Sequence, residues 1–129
     1  MGVLIDTTVL IDLERRRKEG YEVPAGGEYF ISVVTASELL EGVERGDPEQ
    51  RIWRRLFAEE IFDVTDPLPI TLPIARIRAS VAAVLAAKGE KIGSEDLWIA
   101  ATAVAHDLEL VTRNTRGFSR VPGLRLVAA

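Results

Sequence analysis

Three acidic residues, Asp6, Glu38 and Asp96, together with Asn114, stand where this sequence can most readily assemble side-chain chemistry. Asp6 ends the apolar run Val3-Leu4-Ile5, and a carboxylate closing a buried strand is costly unless it is paired or metal-bound. Glu38 falls in the first turn of the helix after a second strand, and Asp96 in the first turn of a helix opened by Ser94. Asn114 lies just beyond the strand that ends at Thr112. In an open parallel sheet all four positions share the rim beyond the carboxyl ends of the strands, where helix N-termini also point. Hard oxygen ligands gathered there hold Mg²⁺ or Mn²⁺ with several waters retained. Two such ions about 3.5–4 Å apart stabilise both the attacking and the leaving oxygen of a phosphodiester hydrolysis. Crowded carboxylates also repel one another, so such a rim without metal is strained.

Each position also has a purely structural reading. Asp6 can cap the helix that follows it. Thr35-x-x-Glu38 matches a capping box, Glu95 and Asp96 complement a helix dipole, and Asn114 suits a turn. The sequence places the four at one rim without showing that they meet.

Composition narrows the remaining options. The chain has 129 residues, 47% of them hydrophobic, which supports one domain over 1–129 with one core. With no cysteine and a single histidine, His106, thiol catalysis, disulfides and Cys- or two-His metal sites are excluded, and no G-x-S-x-G supplies a nucleophilic serine. The apolar stretches are too short to span a bilayer and the N-terminus lacks a basic, cleavable leader, so the expected location is the cytoplasm. A net charge of −4 argues against a non-specific nucleic-acid coat. The last twenty residues nevertheless carry Arg113, Arg116, Arg120 and Arg125 and no acid. Arg113 and Arg116, beside Asn114, read as phosphate contacts, whereas the run Arg15–Lys18 suits a helix C-terminus.

The elements that must position these residues alternate along the chain. Strands are expected at Val3–Ile5, Tyr29–Ser32, Leu108–Thr112 and Leu124–Val127, with a weak one at Phe62–Val64. Helices are expected from Thr7 or Thr8 toward Lys18, from Thr35 to near Gly46, from Asp47-Pro48 onward, from Thr71 to Lys88, and from Ser94 to about His106. Tyr21–Glu28 reads as a Gly/Pro-bearing loop and Asp66–Pro69 as a turn. The alternation predicts an α/β fold, a mainly parallel sheet of four or five strands with helices on both faces.

Four segments resemble, in order, the motifs of PIN-domain nucleases, and in particular the VapC toxins of VapBC toxin–antitoxin pairs. They are Leu4-Ile5-Asp6-Thr7-Thr8-Val9-Leu10-Ile11, Ile31–Val43, Ile92–Ala103, and Leu110–Phe118 with Val121-Pro122-Gly123-Leu124. The match runs over nearly the whole chain. The resemblance implies a PIN-like three-layer α/β/α sandwich and a Mg²⁺-dependent endoribonuclease, with Mn²⁺ as a substitute. Asp6, Glu38 and Asp96 would be its catalytic, metal-binding acids, with Glu38 acting directly or through water. Thr7 and Thr112 would support them, and Asn114 would be a weaker metal ligand. Asn114 falls where many relatives carry a fourth acid, and Gly117 at the next frequently acidic position; the chain therefore resembles a three-carboxylate variant. Thr8 replaces the asparagine or serine common there. Glu95 is extra charge, outside the direct ligands or facing solvent.

The same resemblance implies an antitoxin of the VapB type, an RNA substrate, and a homodimer that forms a heterotetramer or larger assembly with the antitoxin. Trp53, with Ile52, Leu56 and Phe57 on one helix face, reads either as core, the commoner role of an apolar stripe, or as interface; Trp98 has the same two readings, and Trp53 is the better interface candidate of the two. A non-cleaving PIN-like module that binds RNA or protein is the alternative. A haloacid-dehalogenase-like phosphatase needs a second acid two residues after Asp6, where Thr8 stands, and a receiver domain needs an acid pair and an acceptor aspartate that this sequence lacks.

Overall fold

The computed structural model describes residues 2–20 and 28–129, so the loop read at Tyr21–Glu28 lies, apart from Glu28, outside the described residues. Strands β1 (Val3–Ile5), β2 (Tyr29–Phe30), β3 (Glu109–Thr112) and β4 (Leu126–Ala128) form one sheet in the order β2-β1-β3-β4. Every pairing is parallel, with Val3 opposite both Tyr29 and Glu109, and Leu110 opposite Leu126. The carboxyl ends of all four strands therefore lie along one edge. Helices α1 (Thr7–Arg16), α2 (Val33–Arg45), α3 (Pro48–Val64), α4 (Leu72–Ala87), α5 (Ser94–Ala105) and α6 (Thr115–Phe118) complete the chain.

Successive strand side chains point to opposite faces, and the two faces have separate cores. Leu4 and Leu110 are fully buried with Val81 and Leu85 of α4 and Ile99, Ala100 and Ala103 of α5. Ile5 turns the other way, onto Leu10, Ala36, Leu39, Phe57, Ala58 and Ile61 from α1, α2 and α3. The result is the expected α/β/α layering. The alanines of α5, buried at 100, 101 and 103, let that helix pack closely.

Local chemistry sets most of the boundaries. Asp47 and Gln50 form a reciprocal capping box at the start of α3, with Pro48 in the first turn, as the Asp47-Pro48 order predicts. Gly20 and Gly89 take positive φ values of 90° and 69°, and each follows a helix C-terminus as a left-handed stop. No helix among the described residues is long and apolar enough to cross a membrane.

Five expectations are corrected. Phe62-Asp63-Val64 is the last turn of α3 and not a strand. The buried set Phe57, Ala58 and Ile61 carries the helical repeat into it, and three residues are too few for alternation to outweigh that repeat. The helix expected from Thr35 begins at Val33, because Ser32 is the cap and its Oγ accepts the Val34 N–H. Ser32 consequently leaves β2 and makes an isolated parallel bridge to Leu68 in the proline-rich turn. The first helix stops at Arg16 and finishes in a single 3-10 turn, Arg17–Glu19. The cap of α5 is Gly93, with Ser94 already inside the helix.

Candidate active site

The site begins at the end of β1. Asp6 occupies the cap position of α1, yet its side chain makes no capping hydrogen bond. It is 1% exposed and accepts two hydroxyls on the same oxygen, Oδ2, from Thr8 at 2.7 Å and from Thr112 at 2.7 Å. Both hydroxyls are fed from one loop: Arg113 N–H donates to Thr8 Oγ1 and Asn114 N–H to Thr112 Oγ1. The backbone closes the same junction, with Asp6 N–H donating to the carbonyl of Val111. A buried carboxylate is tolerated where charge-assisted hydrogen bonds surround it. Here both of these bonds fall on Oδ2, and Oδ1 lies outside the pair.

Glu38 is reached through the neighbouring threonine. Thr7 Oγ1 donates to Glu38 Oε1 at 2.7 Å and lies 2.9 Å from Thr35 Oγ1. Having one proton to give, Thr7 serves the carboxylate and accepts from Thr35. The capping-box reading of Thr35 and Glu38 is thereby displaced: Ser32 is the cap, Thr35 is fully buried within the first turn of α2, and Glu38 lies in the second turn, not the first as expected, and reaches Thr7 at β1's exit. Thr35 and Thr8 are the members that sequence reasoning missed. The available signal was the recurrence of threonine at the strand ends, where a hydroxyl can fix a carboxylate without adding charge.

Asp96 enters from the first turn of α5, whose N-terminus faces the same edge. Its carboxyl is pushed up to about 6 by burial first, and then by the negative charges of Asp6, Glu38 and Glu95. Glu38 is raised by burial as well; the Thr7 hydroxyl pulls it down, and Asp6, Glu95 and Glu41 push it up. Asp6, Glu38 and Asp96 thus feel one another's charge, while Glu95 is exposed at their margin.

Asn114 is used differently. Its side-chain oxygen accepts the Gly117 N–H as the cap of α6. A Cβ at Gly117 would lie 2.7 Å from the Asn114 amide nitrogen, so the two residues fit as one unit. Arg113 is ion-paired with Asp12 of α1, whereas Arg116 is exposed on α6.

No group of three or more His, Asp or Glu side chains among the described residues closes into a ready metal cage. The donor set is nevertheless all oxygen, partly dehydrated and mutually repelling. That suits a hard divalent cation, which keeps several waters and takes only one or two carboxylates directly.

Beyond the acids, Trp53 is 60% exposed on α3, beside Ile52 at 61% and Leu56 at 50%, while Phe57 is buried beneath them. Trp98 is half-buried, with the Arg78 guanidinium stacked 4.5 Å from its ring centre.

Comparison with known proteins agrees with this architecture. The PIN domain family model matches residues 3–124. Ribonuclease VapC1 of Rickettsia felis is 34% identical over 128 residues, covering 98% of this chain and 96% of that protein. The tRNA(fMet)-specific endonuclease VapC of Shigella flexneri is 36% identical over 100 residues, 77% of this chain and 74% of that one. The DNA-bound VapBC structure from Salmonella typhimurium contains a chain that superposes with a TM-score of 0.87 at 26% identity, covering 99% of this chain and 98% of that one. With its parallel sheet, its acids at one edge and its match over nearly all of its length, this chain belongs to the PIN-domain family, among the VapC ribonucleases.

Proposed function

We propose that this protein is the toxin of a toxin–antitoxin pair and cleaves RNA phosphodiester bonds with Mg²⁺, or Mn²⁺ in its place, held at Asp6, Glu38 and Asp96. The observation that carries the reading is the state of Asp6. It is buried, it is fixed by Thr8 and Thr112 through a single oxygen, and no helix amide engages it. A carboxylate held this way, with two others repelling it across the rim, is arranged for a cation.

In this reading Asp6 and Asp96 would hold the ion, and Glu38 would do so directly or through water. An ion held there would supply a Lewis acid and an activated water. Thr112 and Thr8 fix the plane of the Asp6 carboxylate, and Thr7 fixes Glu38, so the acids need little reorganisation. Arg116 contacts the RNA backbone, with Arg113 contributing when its bond to Asp12 opens. Asn114 completes the rim as a structural cap and a weaker oxygen donor. The relative from Shigella flexneri is named for cleavage of tRNA(fMet), which makes a structured RNA the natural first substrate to test.

An antitoxin of the VapB type is the natural partner, since the related solved structures are toxin–antitoxin complexes. Its apolar segment would lie against Trp53, above a groove of about 420 Å³ lined by Glu14, Arg17, Glu49 and Phe57. We also assign the protein to the cytoplasm and to a homodimer that assembles further with the antitoxin.

The test is incubation of the antitoxin-free protein with total cellular RNA, with and without Mg²⁺ or Mn²⁺, beside an Asp6→Ala control. Discrete fragments that need both metal and Asp6 support the reading. Intact RNA together with retained metal and RNA binding would favour a non-cleaving module.

A further inference from the structure

A groove of about 490 Å³ opens beside the acids, between α2 and α5, lined by Val34, Ser37, Glu38, Glu41, Glu95 and Trp98. The metal reading uses Glu38 and leaves the rest without a role. Glu38, Glu41 and Glu95 make the lining acidic, with Glu41 also paired to Arg45 at 3.6 Å on the exposed side, so an RNA phosphate is disfavoured there. Trp98 is the one aromatic side chain lining the groove among the described residues, and its ring is braced by an arginine. Arg78 of α4 stacks on it at 4.5 Å and donates through Nη2 to Ser94 Oγ at 3.0 Å. An indole fixed in place offers stacking area at little entropic cost, and a carboxylate rim beside it accepts N–H donors.

Uncharged, flat and donor-bearing is the description of a nucleobase, not of a backbone. We infer that Trp98 and the rim of Glu41 and Glu95 form a subsite for one unpaired base next to the cleaved bond, with guanine preferred. Unpaired bases are read by stacking on aromatic side chains and by hydrogen bonds along their Watson–Crick edges. Guanine places N1–H and the N2 amino group side by side, a two-donor edge that matches one carboxylate. The inference rests on the ribonuclease reading, because Glu38 is shared between the groove and the acidic rim. Trp98 is thus a specificity residue, and Arg78 positions it through the stack and the Ser94 bond.

The test uses Trp53→Phe protein, in which Trp98 is the sole tryptophan of the original two. Seven-nucleotide uridine strands carrying a central guanosine, uridine or abasic site are titrated in Ca²⁺, with strand integrity checked on gels. The guanosine strand is expected to quench Trp98 fluorescence and to bind roughly ten-fold more tightly than the abasic strand. Trp98→Leu should erase that ratio and Trp98→Phe should keep it. Equal binding of all three strands, with Trp98 unquenched, overturns the subsite, and this arm needs no substitution at position 98. Cleavage retained with base-blind binding defeats the subsite alone. Base-dependent quenching in Ca²⁺ beside no metal-dependent cleavage of total cellular RNA in Mg²⁺ or Mn²⁺ supports base binding at Trp98 and defeats the ribonuclease reading alone.

Discussion

The Thr112 hydroxyl donates to Oδ2 of Asp6 at 2.7 Å across a sequence separation of 106 residues. The same threonine accepts the Asn114 N–H, so one small side chain links the end of β1, the end of β3 and the loop into α6. Thr112→Val keeps the shape and removes the hydroxyl, leaving a buried carboxylate short of one donor. It is expected to cost about 1–3 kcal/mol of stability and to lower cleavage by freeing the Asp6 carboxylate. Denaturant unfolding beside a cleavage assay reads both, and a variant as stable and as active as the parent would remove Thr112 from the site.

The acids should make stability without metal depend on pH. The Asp96 carboxyl lies near 6 in the fold against an ordinary 3.8. Between these values the folded chain holds more protons than the unfolded one, so stability falls as pH rises through that window and is level above it. Asp96→Asn should flatten this slope and raise stability at neutral pH by on the order of 1 kcal/mol after solvent screening. Melting curves in chelator from pH 4 to 7 test it; an asparagine variant that melts no higher than the parent counts against the crowded rim.

Divalent metal should reverse the same penalty. At neutral pH, Mg²⁺ or Mn²⁺ at about one hundred times its dissociation constant is expected to add roughly 2.7 kcal/mol. The gain should shrink below pH 6, where protons compete for the acids. Asp6→Ala should abolish it. Thermal shift titrations at two pH values decide the matter, and an unchanged shift in Asp6→Ala would place the ion elsewhere.

Thr7 lowers the Glu38 carboxyl by donating to it. Thr7→Val should therefore raise Glu38 further and move the acid limb of the cleavage profile to higher pH. A profile that falls in height without moving sideways would give Thr7 a packing role only.

The two loop arginines should behave differently. Arg116→Ala is expected to weaken RNA binding and reduce the salt slope by about one. Arg113→Ala should do less, because Asp12 already pairs with that guanidinium, and Asp12→Asn should strengthen binding by releasing it. Equal slopes for both alanine variants would contradict the pairing.

Much of this arrangement is legible in the residues, and the exceptions share a cause. Asp6 after an apolar triplet, Asp47 before Pro48 and glycine after a helical repeat are local signals, and each lands where the structure has it. Phe62–Val64 fails because three residues carry too little period to oppose a helix already under way. Thr35 fails because Thr-x-x-Glu is read equally well as a cap or as two inward-facing groups; only Ser32 and the distant Thr7 decide between them. Trp53 and Trp98 are alike in sequence and unlike in exposure, which depends on what neighbouring helices cover. The hydroxyl contacts around Asp6 and Glu38 join residues far apart, and no local pattern reports them.

The pairing of β1 with β3, Ile5 opposite Val111, also sets when the acidic rim can exist. During synthesis Asp6 and Thr8 emerge well before the second hydroxyl partner, Thr112, which lies 106 residues after Asp6. Until then β1 has no β3 beside it, and the carboxylate has neither the Thr112 hydroxyl nor the loop amides that steady it. A nascent chain on the ribosome therefore carries the acids without the framework that aligns them.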